Sequence, residues 1–170
     1  MRSWRAILAG LTAIVLSGCA GYTVGPTSGL PGGTKSLQIV PFINRSPEPR
    51  LTDPVTSALR KETQRDGTYR LETRGTGDVT QTGVITEYDR REQTLVSSDV
   101  ITVKDYQLRL TAQVTARDRV TGKVLVDQSV TGYTLMRVTS DFQSAERQAL
   151  PLLATDLARR VTALLTDGTW

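Results

Sequence analysis

Histidine is absent from the 170 residues, and cysteine occurs once, at position 19. A triad built on histidine and the usual zinc ligand sets are therefore unavailable. A single thiol also leaves nothing to pair with inside the chain, so no intramolecular disulfide supports the fold. Aromatic residues make up only 5% of the chain, and the two tryptophans lie near its ends, Trp4 and Trp170. Long apolar runs are missing as well. The most apolar stretch, residues 6–16, is eleven residues, which at about 1.5 Å per residue spans only about half of a ~30 Å hydrocarbon core.

That short run is instead the middle of a secretory signal. Arg2 and Arg5 provide a basic start, the apolar stretch follows, and it closes on Leu16-Ser17-Gly18-Cys19. The closing residues resemble the bacterial lipobox, and this implies a thioether-linked diacylglycerol and an N-acyl chain on Cys19 after residues 1–18 are cut away. Two or three acyl chains hold a protein at a membrane where one does so only marginally. The alternative is a soluble periplasmic protein with a chance cysteine near its cleavage site. Without residues 1–18 the chain has 152 residues, one domain's worth. Its charge is 19 basic minus 17 acidic side chains, or +2, because Arg2 and Arg5 leave with the signal. Basic residues interleave with acids, so nothing calls for a nucleic-acid partner.

Residues 20–36 are dense in Gly, Pro, Ser and Thr and read as a tether. A short β-rich stretch at 37–42 follows, with Pro41 at its exit. Thr52 or Asp53 caps a helix whose apolar positions Leu51, Val55, Ala58 and Leu59 keep helical spacing, and Gly67 ends it. Tyr69 and Leu71 open another extended piece, residues 74–78 turn, and 79–88 continues as a strand. From 106 to 117 apolar and polar residues alternate without a fault, so one face is buried and the other is not. Residues 118–123 form a hairpin connection, and 124–131 returns as the partner strand. Finally Leu150, Leu153, Leu157, Val161 and Leu164 recur at steps of 3, 4, 4 and 3. They predict an amphipathic helix between Asp141 and Leu165, in which Pro151 is either a kink or the real start. The expected fold is α+β, with two helices packed on one face of a mostly antiparallel four-stranded sheet. The expected plan is a cleaved signal at 1–18, a lipidated tether at 19–36 and a single domain at 37–170.

In order and spacing these pieces resemble the LPS-assembly lipoprotein family, LptE. The resemblance runs through Cys19-Ala20-Gly21-Tyr22, Leu30-Pro31-Gly32-Gly33, the stretch 39–46, the helix 51–67, strand 79–88, the hairpin 106–130 and the helix 150–164. It implies an outer-membrane lipoprotein facing the periplasm, which plugs and helps assemble the β-barrel LPS translocon LptD and assists LPS insertion. It also implies a two-helix, four-stranded α/β sandwich and no enzymatic activity. Ala20 after Cys19 resembles the pattern that permits sorting to the outer membrane. The competing reading is a generic envelope lipoprotein, a structural or protein-binding adaptor that does not bind LPS.

Basic side chains suit the phosphates and carboxylates of LPS through charge-assisted hydrogen bonds. The candidates for LPS or barrel-lumen contact are Arg109, Arg117, Arg119 and Lys123 on the polar face or tip of the hairpin, with Arg90 and Arg91 at the exit of the preceding strand. Ordinary solvated charges are the plainer account of any one of them. Glu87, Asp89, Asp99 and Asp105 have no spacing suited to a calcium loop or a catalytic pair. No catalytic residue, metal site or cofactor is expected beyond the lipid on Cys19.

Overall fold

The faultless alternation over 106–117 becomes the middle of the sheet. The computed structural model describes residues 35–93, 104–138 and 141–167. They comprise β1 (Lys35–Ile39), β2 (Ile43–Asn44), a 3₁₀ turn (Pro49–Leu51), α1 (Thr52–Asp66), β3 (Tyr69–Glu72), β4 (Val79–Gln93), β5 (Lys104–Asp118), β6 (Val124–Val138) and α2 (Phe142–Asp167). In β5, Leu108, Leu110, Ala112, Val114 and Ala116 are buried toward the helices, and the intervening side chains face outward. β4 and β6 flank β5 antiparallel on either side. Each of the three strands is 15 residues long.

The sheet differs from the expected four antiparallel strands. It has six strands in the order β3-β1-β4-β5-β6, with β2 also on β4, and β1, β2 and β3 all pair in parallel. These three strands are too short to show a period of two, and parallel pairing is a long-range choice that local alternation does not encode. The connection from β3 to β4 takes only residues 73–78, because it doubles back over the outer face of β1. A Cβ on Gly77 would lie 2.7 Å from both the Cβ and the backbone N of Gln38, so only glycine permits that crossing. β4 and β6 also extend well past the expected 79–88 and 124–131.

Both helices cover the same face and share one core with the sheet. In α1, Val55 and Leu59 point inward, and Gly67 at φ 77° returns its N–H to the Thr63 carbonyl, 3.1 Å away. Asp141 caps α2, its carboxylate accepting the N–H of Gln143 at 3.1 Å and of Ser144 at 3.0 Å. Pro151 lies inside α2 on the exposed side rather than at its start. The buried stripe Leu150, Leu153, Leu157 and Val161 outweighs one missing N–H. α2 lies directly on β6: a Cβ at Gly132 would come within 2.7 Å of the Leu157 backbone N. Likewise the Phe42 ring occupies the space over Gly83. Among the described residues, Gln81 enters this core unaided, fully buried with both amide atoms unpartnered.

Candidate functional site

The face of the sheet that no helix covers carries polar residues of β4, β5 and β6. Arg91 Nε lies 2.8 Å from Asp89 Oδ2. Arg109 reaches both Glu87 and Asp89 at 3.4 Å, and Arg137 Nε lies 3.0 Å from Asp105 Oδ1. Gln113 donates to Asp127 at 2.7 Å, and the hydroxyls of Thr111 and Thr131 meet at 3.1 Å. Three arginines thus face three carboxylates, and the surface neutralises itself. The Arg91 guanidinium holds the Asp89 carboxyl below the usual carboxylate range. Arg109 is only 26% exposed. Both carboxylates meet its Nη2, while its Nε is buried without a partner.

At one end of this face the turn between β5 and β6 is tightly built. Asp118 accepts the N–H of Val120 at 3.1 Å and the N–H and hydroxyl of Thr121, each at 2.9 Å, and Gly122 at φ 70° closes the turn. The Thr121 N–H leads the effects that hold the Asp118 carboxyl low. Beside it Asp78 accepts the N–H and hydroxyl of Ser36 at 2.9 and 2.7 Å, and the backbone bond leads in lowering that carboxyl. Arg119 ties the two loops together, its N–H to the Asp78 carbonyl at 2.8 Å and its Nε to the Gly77 carbonyl at 3.1 Å. Arg117 donates to the Gly122 carbonyl at 2.8 Å. Lys35, the first residue of β1, lies 3.8 Å from Asp118. Arg117, Arg119 and Lys123 are exposed.

At the opposite end the structure places Arg90 on the helix side, away from Arg91, because the bulge between Ile85 and Glu87 shifts the alternation that sets Val79, Gln81 and Ile85 inward. Its Nε lies 2.8 Å from Glu146 of α2, and its guanidinium stacks over Tyr88 and Phe142 at 5.2 and 5.7 Å. Glu146 is 4% exposed. It also accepts the Tyr88 hydroxyl at 2.6 Å and is approached by Arg50 at 3.4 Å, while Arg50 grips buried Glu48 at 2.7 Å. Burial first, then the bond to Glu146, pushes the Tyr88 hydroxyl pKa up. The Arg50 guanidinium holds Glu48 low. Sequence reasoning missed this cluster, although the spacing of Glu146, Ala149, Leu150 and Leu153 already sets Glu146 on the buried stripe of α2.

The six cations expected to meet LPS or a lumen are therefore not one group. Arg90, Arg91 and Arg109 hold carboxylates, whereas Arg117, Arg119 and Lys123 share the turn and bond there to backbone carbonyls or, for the Lys123 ammonium, make no ion pair among the described residues. Glu87 and Asp89 converge on Arg109, Asp89 also pairs with Arg91, and Asp105 pairs with Arg137. Asp99 and Cys19 lie outside the described residues. Among the described residues no group of His, Cys, Asp and Glu could hold a metal ion, and no helix is long and apolar enough to cross a membrane.

A family model described as LptE, lipopolysaccharide-assembly, matches residues 34–165. No curated protein matches in sequence. Among solved structures, a minor lipoprotein from Acinetobacter baumannii is 20% identical with a TM-score of 0.50, covering 78% of this chain and 93% of its own. A protein from Xanthomonas campestris is 11% identical with a TM-score of 0.56, covering 86% and 92%. PelC from Paraburkholderia phytofirmans, in a dodecamer, is 19% identical with a TM-score of 0.50, covering 85% and 95%. At these identities the likeness is one of fold.

Proposed function

The chain belongs to the LptE lipopolysaccharide-assembly family, and from that membership we propose that it is an outer-membrane lipoprotein, anchored through lipid on Cys19, that plugs and helps assemble the barrel translocon LptD and assists LPS insertion. The observation that carries the plug reading is the uncovered sheet face. A surface seated in a water-lined lumen has to be polar, rigid and close to neutral, so that it neither repels nor sequesters the wall. Arg91, Arg109 and Arg137 paired with Asp89, Glu87 and Asp105 across three long strands supply such a surface. Side chains that neutralise one another in place cost little further ordering when a partner closes over them. The reading assigns no reaction to the protein; its contribution is shape and placement.

The domain plan goes with it: a signal at 1–18, a tether from Cys19, and a folded body. The test is affinity capture of the full chain from detergent-solubilised envelopes, with mass spectrometry of what accompanies it. An outer-membrane barrel recovered in near-equal amount is the expected result. Recovery with peptidoglycan-associated or other envelope proteins and no barrel would favour an adaptor lipoprotein instead. The anchor is checked separately by palmitate labelling. Cys19→Ala should lose the label and the membrane retention, and equal label in both proteins would overturn the anchor.

A further inference from the structure

The hairpin tip combines three features that a solvated turn does not need. Its apex is apolar and bare: Val120 is 81% exposed, and Val124 just beyond it is 42% exposed. Four cations ring it, Lys35, Arg117, Arg119 and Lys123, against two neighbouring carboxylates, Asp118, which Lys35 approaches at 3.8 Å, and Asp78, so four positive charges less two negative leave the tip at +2. The next carboxylate up the sheet, Asp127, is held by Gln113 and Thr115. Third, the chain enters the domain here. Lys35 begins β1 beside Asp118, so the sixteen residues 19–34 that precede it lead to this end, and their contour is at most ~55 Å. The opposite end lies about fifteen residues of strand further away, roughly 50 Å.

We propose that the hairpin tip is a membrane-surface contact, seating on the anionic phospholipid of the leaflet that holds the anchor, with Val120 in the headgroup region and Lys35, Arg117, Arg119 and Lys123 on phosphates. The proposal rests on the anchor at Cys19. An apolar apex among cations is the composition that interfacial binding requires, because apolar burial and attraction to anionic lipid add. The lipid anchor brings the tip to the surface, and the tip sets the orientation of the sheet against it.

The test uses the mature full chain reconstituted in vesicles, with Val120→Cys carrying a nitroxide and Ser57→Cys, on the exposed side of α1, as the control. If Cys19 is acylated, its sulfur is a thioether and each chain takes one label. Two labels per chain would overturn the anchor, and the proposal with it. In phosphatidylethanolamine–phosphatidylglycerol vesicles the label at 120 should be shielded from a water-soluble relaxant while that at 57 is not. In phosphatidylcholine vesicles the shielding should fall. Adding Arg117→Gln, Arg119→Gln and Lys123→Gln should lower the immersed-to-exposed ratio on the order of a hundredfold. With one label per chain, a label at 120 as open to water as that at 57 overturns the tip contact alone. Shielding that appears only when lipopolysaccharide is added to phosphatidylcholine vesicles would also overturn it, assigning the tip to lipopolysaccharide.

Discussion

Arg90 and Arg117 lie toward opposite ends of the same antiparallel ribbon and are used in opposite ways. Arg90 lies over Tyr88 and Phe142 with the Glu146 carboxylate 2.8 Å away, so its charge joins β4 to α2. Arg117 is exposed, and its guanidinium meets the Gly122 carbonyl of its own turn. The carboxylates differ in the same sense. Glu146 and Glu48 are buried and depend on arginine, whereas Asp118 and Asp78 are held mainly by backbone and hydroxyl donors, with Lys35 3.8 Å from Asp118, and are outnumbered by the cations around them. Charge is structural at one end and available at the other, and the difference is set by whether a helix covers that stretch of strand.

Substitutions can break this comparison, and the largest effect comes from the sheet between the ends. Leu110→Asp puts a carboxylate among fully buried side chains and should unfold the domain, a loss of about 4 kcal/mol or more. Gln113→Asp, on the uncovered face, should cost within about 1 kcal/mol, mostly from repulsion with Asp127, which Gln113 now contacts. Circular dichroism melts of the full chain in detergent compare them. Equal losses would mean that the face assignment of β5 is wrong.

Next in size is Glu146→Ala, which strips the Tyr88 hydroxyl and Arg90 of their acceptor. Removing one partner of a buried pair costs about 3–5 kcal/mol, and since Arg90 is 43% exposed, about 2–3 kcal/mol is expected here. Urea unfolding measures it. A loss below about 0.5 kcal/mol would place the cluster in the same class as the tip.

Acid sharpens the same contrast. Glu48 has a lowered carboxyl pKa, chiefly from Arg50, so its contribution is full above the unfolded value near 4.5 and is lost as pH falls through the folded one. Glu48→Gln should therefore be less stable than wild type at pH 7, with the gap closing as the pH drops below 4.5. A gap independent of pH would show that shape, not charge, supplies the stability. The smallest change is expected from Arg117→Gln, Arg119→Gln and Lys123→Gln together. Exposed charges of this kind contribute about 0–1 kcal/mol, so the melting temperature should stay nearly unchanged while lipid contact is lost. A large drop in stability would move the tip into the structural class.

Several elements could be read directly from the residues. The alternation from Tyr106 to Arg117, the Gly122 turn and the leucine stripe of α2 each state a local period, and a local period is enough when one face meets a core. Asp141 and Gly67 mark helix ends because capping is a matter of neighbouring backbone groups. The basic character of the turn was legible for the same reason, since residues 117–123 are adjacent in sequence.

Tertiary structure decided whatever depends on residues far apart. The parallel pairing of β1 with β3 and β4 is one case, because strands of five and four residues carry too little pattern to choose a neighbour. The sorting of the six cations is another. Arg90 and Arg91 are consecutive and chemically identical, yet one faces Glu146, 56 positions away (146 minus 90), and the other Asp89 beside it. The meeting of Lys35 with Asp118 at the tip is the third. Local chemistry determined which residues could form strand, helix, turn or charge pair. Only the packing of α2 across β6, which brings Glu146 under β4 and leaves the tip uncovered, determined which charges would be neutralised.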